Sequence, residues 1–145
     1  MKNDTIRGLI VRQPYAELIA RGVKKWEIRK CNTRYRGPVA LVSRGLLYGF
    51  ARLTSSFKMK VSRLKKYDYM HRASDILDDY ASGRPVLYVW VFEDAVGLPE
   101  PVKVTYARGA RTWVYLDKRR VIVALKKRGY GEELRKLVRM LGRDC

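Results

Sequence analysis

The chain reads as an α+β protein, mainly β: a small barrel or curled sheet with short helices at its periphery. Three observations carry this. Most apolar residues fall in short runs rich in β-branched and aromatic side chains, separated by Gly and Pro turn signals. Helical periodicity is confined to brief segments. At 145 residues, with no internal repeat and no low-complexity linker, the chain suits a single domain, 1–145, around one core.

Gly8-Leu9-Ile10-Val11 is a short apolar run and reads as a buried strand. Pro14 then suits the first position of a helix, where its missing N–H costs nothing. Tyr15, Leu18 and Ile19 recur at helical spacing, and Gly22 is placed to stop that helix in a left-handed conformation. From Trp26 the period changes to two. Trp26 and Ile28 should face the core, with Glu27 and Arg29 sharing the other face and Lys24 in the turn on that same side.

Cys31 to Arg36 reads as a polar, basic loop closed by the Gly37-Pro38 turn signal. Val39-Ala40-Leu41-Val42 has the continuity of a buried central strand. Ser43 and Arg44 follow at its end, a usual place for binding residues, and are candidates on that ground. Gly45 and Gly49 break the next apolar stretch. Then Lys58, Lys60, Arg63, Lys65 and Lys66 interleave with Phe57, Tyr67 and Tyr69. That pattern fits a single-stranded nucleic-acid groove, with phosphates on the cations and bases on the rings; it fits equally a solvated face whose rings dip into the core. His71, the sole histidine, has no nearby metal-ligand spacing and reads as an ordinary core or surface residue.

Ser74 is placed to cap a helix beginning at Asp75, with Ile76, Leu77 and Tyr80 as its apolar face and Gly83 as its stop. Asp78 and Asp79 read as helix-end charge and ion-pair partners sooner than as a metal site. Val86 to Phe92 is the strongest strand signal in the chain. Gly97, Pro99 and Pro101 mark a loop, after which Val102–Tyr106, Thr112–Leu116 and Val121–Leu125 read as three strands of a meander. Leu134, Leu137, Val138 and Leu141 define a terminal helix in a basic segment, 126–145.

Lys and Arg outnumber Asp and Glu by 32 to 14, a formal net charge of +18. An excess of this size points to a polyanionic partner, with nucleic acid as the default. No apolar run is long enough to span a bilayer, and the polar start lacks a signal peptide's apolar core. A cytoplasmic location is expected, with no membrane partner. Cys31 and Cys145 lack metal-site spacing and read as free thiols, with a disulfide as the alternative in a hyperthermophile. Amides are restricted to Asn3, Gln13 and Asn32, and together with the abundant Lys and Arg this fits a thermophile.

The stretch Gly22-Val23-Lys24-Lys25-Trp26-Glu27-Ile28-Arg29 concentrates these themes. It places a carboxylate between cations at the mouth of a helix-to-strand turn. Two cations beside a carboxylate favour its charged form, so it serves as an acceptor sooner than as a general acid. A carboxylate accepts from an exocyclic base amine, and an Arg grips phosphate. The bland alternative is an exposed strand salt bridge worth under about 1 kcal/mol.

Gly22-x-Lys24-x-x-Glu27-x-Arg29 resembles the signature of the ASCH (activating signal cointegrator homology) domain. Its flanks do too: Gln13-Pro14-Tyr15-Ala16 before it, and Gly37-Pro38-Val39 with the strand ending at Ser43 after it. The strand through Glu93, Pro101-Val102 and the Arg108–Trp113 segment fit more loosely, and Arg111 and Trp113 join the binding candidates on that basis. The resemblance implies a PUA-like pseudo-barrel of about half a dozen strands with rim helices. It also implies an RNA- or nucleotide-binding cleft lined by Lys24, Glu27 and Arg29. RNA is the expected partner, with single-stranded DNA as an alternative, no cofactor and a monomeric state. Some relatives are ribonucleases, and one branch resembles an amidohydrolase of acetylated cytidine that uses Lys, Thr and Glu. Glu27 stands where that branch has its Thr, so this chemistry is not carried over. If the protein is an enzyme, Lys24, Glu27 and Arg29 are the catalytic candidates; a basic protein-interaction module is the remaining alternative.

Overall fold

The computed structural model describes residues 4–142. Six strands form one sheet: β1 (Thr5–Ile10), β2 (Trp26–Arg29), β3 (Gly37–Ser43), β4 (Leu46–Lys60), β5 (Val86–Lys103) and β6 (Trp113–Asp117). Their spatial order is β2-β5-β4-β3-β1-β6, with β1 and β3 parallel and every other pair antiparallel. Helices α1 (Tyr15–Ala20), α2 (Val61–Leu64), α3 (Asp68–His71), α4 (Leu77–Ala81), α5 (Lys118–Lys127) and α6 (Gly131–Gly142) surround it.

β3 is buried at every position because it lies between β4 and β1 with both faces covered. Ala40 and Val42 pack toward α5 and α6, in a cluster with Leu125 and Leu137. Val39 and Leu41 pack on the opposite face with Ile19 and Ala20 of α1. A third cluster joins Ile28, Leu64, Leu77 and Leu87 at the β2 end of the sheet. The long strand β5 passes through all three, contributing Leu87, then Trp90 and Phe92, then Val96 and Leu98. Interrupted registers between β4 and β5 bend the two together, as bulges do. At Gly49 the strand approaches its neighbours so closely that a Cβ would lie 2.2 Å from the Val96 carbonyl oxygen and 2.8 Å from the Ala20 Cβ.

The hydrogen-bonded ladder does not close into a barrel; β2 and β6 are its two ends. Side chains bridge the gap instead. Trp90 of β5 stacks on Trp113 of β6, ring centroids 5.6 Å apart at 11°. Arg29 of β2 donates through Nη2 to the Ile10 carbonyl of β1 at 2.9 Å. The sheet is therefore a curled, latched half-barrel. An aromatic pair is worth about 0.5–1.5 kcal/mol beyond its burial, far less than a full strand ladder, so this gap is the weak side of the wall.

Three expectations change. Val121–Leu125 is helical, part of α5, so the three-strand meander is absent. The Asp117 carboxylate accepts from the Arg120 N–H at 3.0 Å and caps the helix; Val121 and Leu125 are buried while Val123 is exposed, the i, i+4 pattern of a helix. The Gly97–Pro101 stretch is not a loop but continues β5: Leu47 pairs with Val102 and Gly49 with Gly97, so Leu98 to Pro101 stand opposite Tyr48 alone and the prolines need donate no ladder bond. Ser74 does not cap α4, which starts after Ile76 without a side-chain cap. Cys31 is a free, exposed thiol; Cys145 lies outside the described residues. No described helix is long and apolar enough to cross a membrane.

Candidate functional site

The turn from α1 into β2 builds the site. Gly22, at φ 77°, takes the left-handed conformation that ends α1 and reverses the chain. Both the Val23 and Lys24 N–H groups then bond to the Leu18 carbonyl at 3.0 Å. The Lys25 N–H donates to the Met70 carbonyl at 2.8 Å, which ties the turn to α3. β2 follows, with Trp26 and Ile28 packed on one side and Glu27 and Arg29 on the other.

Glu27 is not an exposed strand residue. It is 8% exposed and Lys24 is 2% exposed. The Glu27 Oε1 lies 3.5 Å from the Lys24 Nζ, and its Oε2 accepts from the Arg29 Nε at 2.8 Å. Each carboxylate oxygen thus faces its own cation. The Lys24 ammonium also donates to the His71 carbonyl and sits over the Tyr15 ring, 5.0 Å from its centroid. Burial pushes the Lys24 pKa down from its ordinary value, and Glu27 opposes that push. Its ammonium is thus held by one hydrogen bond and one ion pair. Arg29 divides its donors between Glu27 and the Ile10 carbonyl, and its guanidinium lies 5.5 Å from the Trp90 ring centroid.

A pocket of about 240 Å³ opens over this cluster. It is lined by Tyr15, Lys24, Glu27, Ile28 and Arg29, by Ala73, Ile76, Leu77 and Tyr80 in and before α4, and by Ile10, Val11, Arg12 and Arg111. Its size, at the small end for ligand sites, suits one ring system with a short polar extension. Burial pushes the Tyr15 and Tyr80 phenols up, so both stay protonated at neutral pH. Arg12 and Arg111 are exposed. Among the described residues no group of three or more His, Cys, Asp or Glu is placed to hold a metal.

The structure brings Lys24, Glu27, Arg29 and Arg111 together, and separates them from the other candidates. Ser43 is buried at the end of β3, and Arg44 stands at φ 50° in the β3–β4 turn; neither lines the pocket. Trp113 does not line the pocket; it stacks on Trp90, over which the Arg29 guanidinium lies. Sequence reasoning missed Arg12, Tyr15 and Tyr80 as pocket residues. Tyr80 did carry a signal, since it shares the apolar face of α4 with Ile76 and Leu77, but nothing local says that this face meets β2. His71 is fully buried: its Nδ1 accepts from the Ala73 N–H at 3.0 Å, so the proton sits on Nε2, 2.7 Å from the Leu64 carbonyl. It shapes the segment whose carbonyl holds Lys24.

A curled six-stranded sheet with short peripheral helices is the architecture of the PUA-like class of small domains. Within that class the chain belongs to the ASCH domain family, whose model matches residues 9–113. The crystal structure of the ASCH protein of Zymomonas mobilis superposes with a TM-score of 0.66 at 17% identity, covering 92% of this chain and 94% of that one. A tyrosine-to-phenylalanine variant of that protein gives 0.67 at 16%, over 82% and 96%. A serine-to-alanine variant gives 0.67 at 16%, over 84% and 96%. At such identity the likeness is one of fold. A search of curated protein sequences returned no match.

Proposed function

We propose that the protein is an RNA-binding module that takes one unpaired base of a single strand into the pocket. The observation that carries this is the pairing of an acceptor with rings and cations in one small cavity: Glu27 faces it between Lys24 and Arg29, Tyr15 and Tyr80 offer ring faces, and Arg12 and Arg111 are exposed. A carboxylate has about four acceptor sites, so Glu27 keeps capacity for an exocyclic amine while holding both cations. The two exposed arginines suit the flanking phosphates. The net charge of +18 supplies the long-range attraction. Single-stranded DNA fits the same chemistry except at the 2′-hydroxyl.

Filling the cavity without changing charge tests this. Ile76→Trp should weaken binding of a labelled single-stranded RNA by about tenfold or more while leaving the salt dependence unaltered. Undiminished affinity, or heparin competing as well as RNA, removes the pocket reading. The lowered pKa of Lys24 favours one second reading, acid–base chemistry on RNA with Lys24 as the proton carrier. Cleavage of labelled RNA that disappears in Lys24→Met, in a variant shown to be folded, would support it.

A further inference from the structure

We propose a second single-stranded nucleic-acid contact on the face of β2 opposite the pocket, built on Tyr69, Tyr67 and Phe57 with the cations around them. It stands independently of the pocket reading. Trp26 points away from Glu27 and anchors a run of rings. Phe57 meets it edge-on at 5.6 Å and 86°. Tyr67 leans on it at 5.2 Å and 33°, and Tyr69 leans on Tyr67 at 6.0 Å and 35°. Exposure climbs outward from 9% at Trp26 along both branches, to 36% at Phe57 and, through Tyr67, to 60% at Tyr69. The inner rings belong to the core and need no further purpose. Tyr69 buries too little to be explained that way: it presents a ring at the surface, backed by other rings.

The cations complete the pattern. Arg63, Lys66, Tyr67 and Tyr69 share one open depression, and Lys58 and Lys60 are exposed at the adjoining end of β4. Lys65 is paired with Asp78 at 3.2 Å; no such pair is found for Lys58, Lys60, Arg63 or Lys66 among the described residues. Asp68 adjoins the patch and stays ionised, its carboxylate accepting from the Ser74 N–H, so it is one anion set against the four cations Lys58, Lys60, Arg63 and Lys66. Exposed rings beside unpaired cations match a single strand, whose bases can stack while its phosphates meet the charges. A duplex keeps its base faces covered, and an acidic peptide has no use for the ring.

The test is fluorescence anisotropy with a labelled oligocytidylate on the order of a dozen nucleotides long, whose bases carry the exocyclic amine the pocket reading needs. Tyr69→Ala should weaken binding by about fivefold to a hundredfold, and Tyr69→Phe should retain it, because stacking needs the ring and not the hydroxyl. Arg63→Glu with Lys66→Glu should weaken binding and flatten the salt dependence by more than one unit of log–log slope, at roughly 0.7 per phosphate contact. The same charge change on α6, Arg135→Glu with Lys136→Glu, should do less. Unchanged affinity in Tyr69→Ala, equal loss from the α6 pair, or duplex RNA or heparin competing as well as the single strand would each overturn the proposal. Ile76→Trp keeps the two readings apart: loss there with none in Tyr69→Ala removes only this platform, and the reverse removes only the pocket.

Discussion

The Arg29 guanidinium joins two strands that are not neighbours in the sheet: it donates to the Ile10 carbonyl at 2.9 Å while its Nε holds Glu27 at 2.8 Å. The last residue of the family signature is thus a latch across the open side of the half-barrel as well as a wall of the pocket. Any loss of ligand binding on its removal would therefore combine a lost contact with a loosened fold.

Arg29→Ala should destabilise the fold by about 2–4 kcal/mol, since it leaves a buried carboxylate with one partner and the Ile10 carbonyl without its donor. For a domain of this size that lowers the melting temperature by about 5–15 °C, measurable by circular dichroism. Arg29→Lys should recover only part of this, because one ammonium cannot reproduce the fork that reaches both oxygens. An unchanged melting temperature would show that the latch contributes nothing.

Lys24 should leave its mark on stability in alkali. Its folded pKa is lowered by burial, so between that value and the ordinary 10.5 the unfolded chain holds more protons than the folded one. Stability contributed by this group therefore rises with pH across that window, and the burial penalty is full below it. Urea midpoints of the native chain and of Lys24→Met should converge or cross as pH climbs toward 10.5; a constant difference would mean the ammonium is not desolvated.

His71 gives the opposite limb. Burial lowers its pKa below the ordinary 6.5, against the bond to Leu64 that raises it, and the Lys24 charge lowers it further. Both states are neutral above 6.5, so its contribution is complete there and is lost as pH falls from 6.5 through the folded value. As the sole histidine it gives one unambiguous imidazole signal in a proton NMR titration, and the midpoint should fall clearly below 6.5.

Gly49→Ala should be among the most damaging small substitutions. The added carbon would meet the Val96 carbonyl oxygen at 2.2 Å, and backbone cannot swing aside as a side chain does. A loss of about 3 kcal/mol or more, or failure to accumulate folded protein, is expected. Gly83→Ala is the comparison: no atom lies near its Cβ, so any cost there comes from its backbone conformation at φ 81°.

The sequence by itself determined the signature's local geometry. The shift from helical to alternating period after Gly22 put Glu27 and Arg29 on one face and Trp26 and Ile28 on the other, because pleating alternates side chains whatever the strand pairs with. It also determined the central place of Val39–Val42, since a run without polar residues has no face to give to water. It misled where composition and context disagreed: Val121–Leu125 is rich in β-branched residues, yet the Asp117 cap and the burial of Val121 with Leu125 make it a helix. Only the tertiary structure decided that Glu27 is buried, that Arg29 reaches Ile10, and that Ile76 and Tyr80 roof the pocket. Those facts depend on chain segments dozens of residues apart meeting around one curled sheet. Local period and propensity carry no record of which distant face will cover a given side chain.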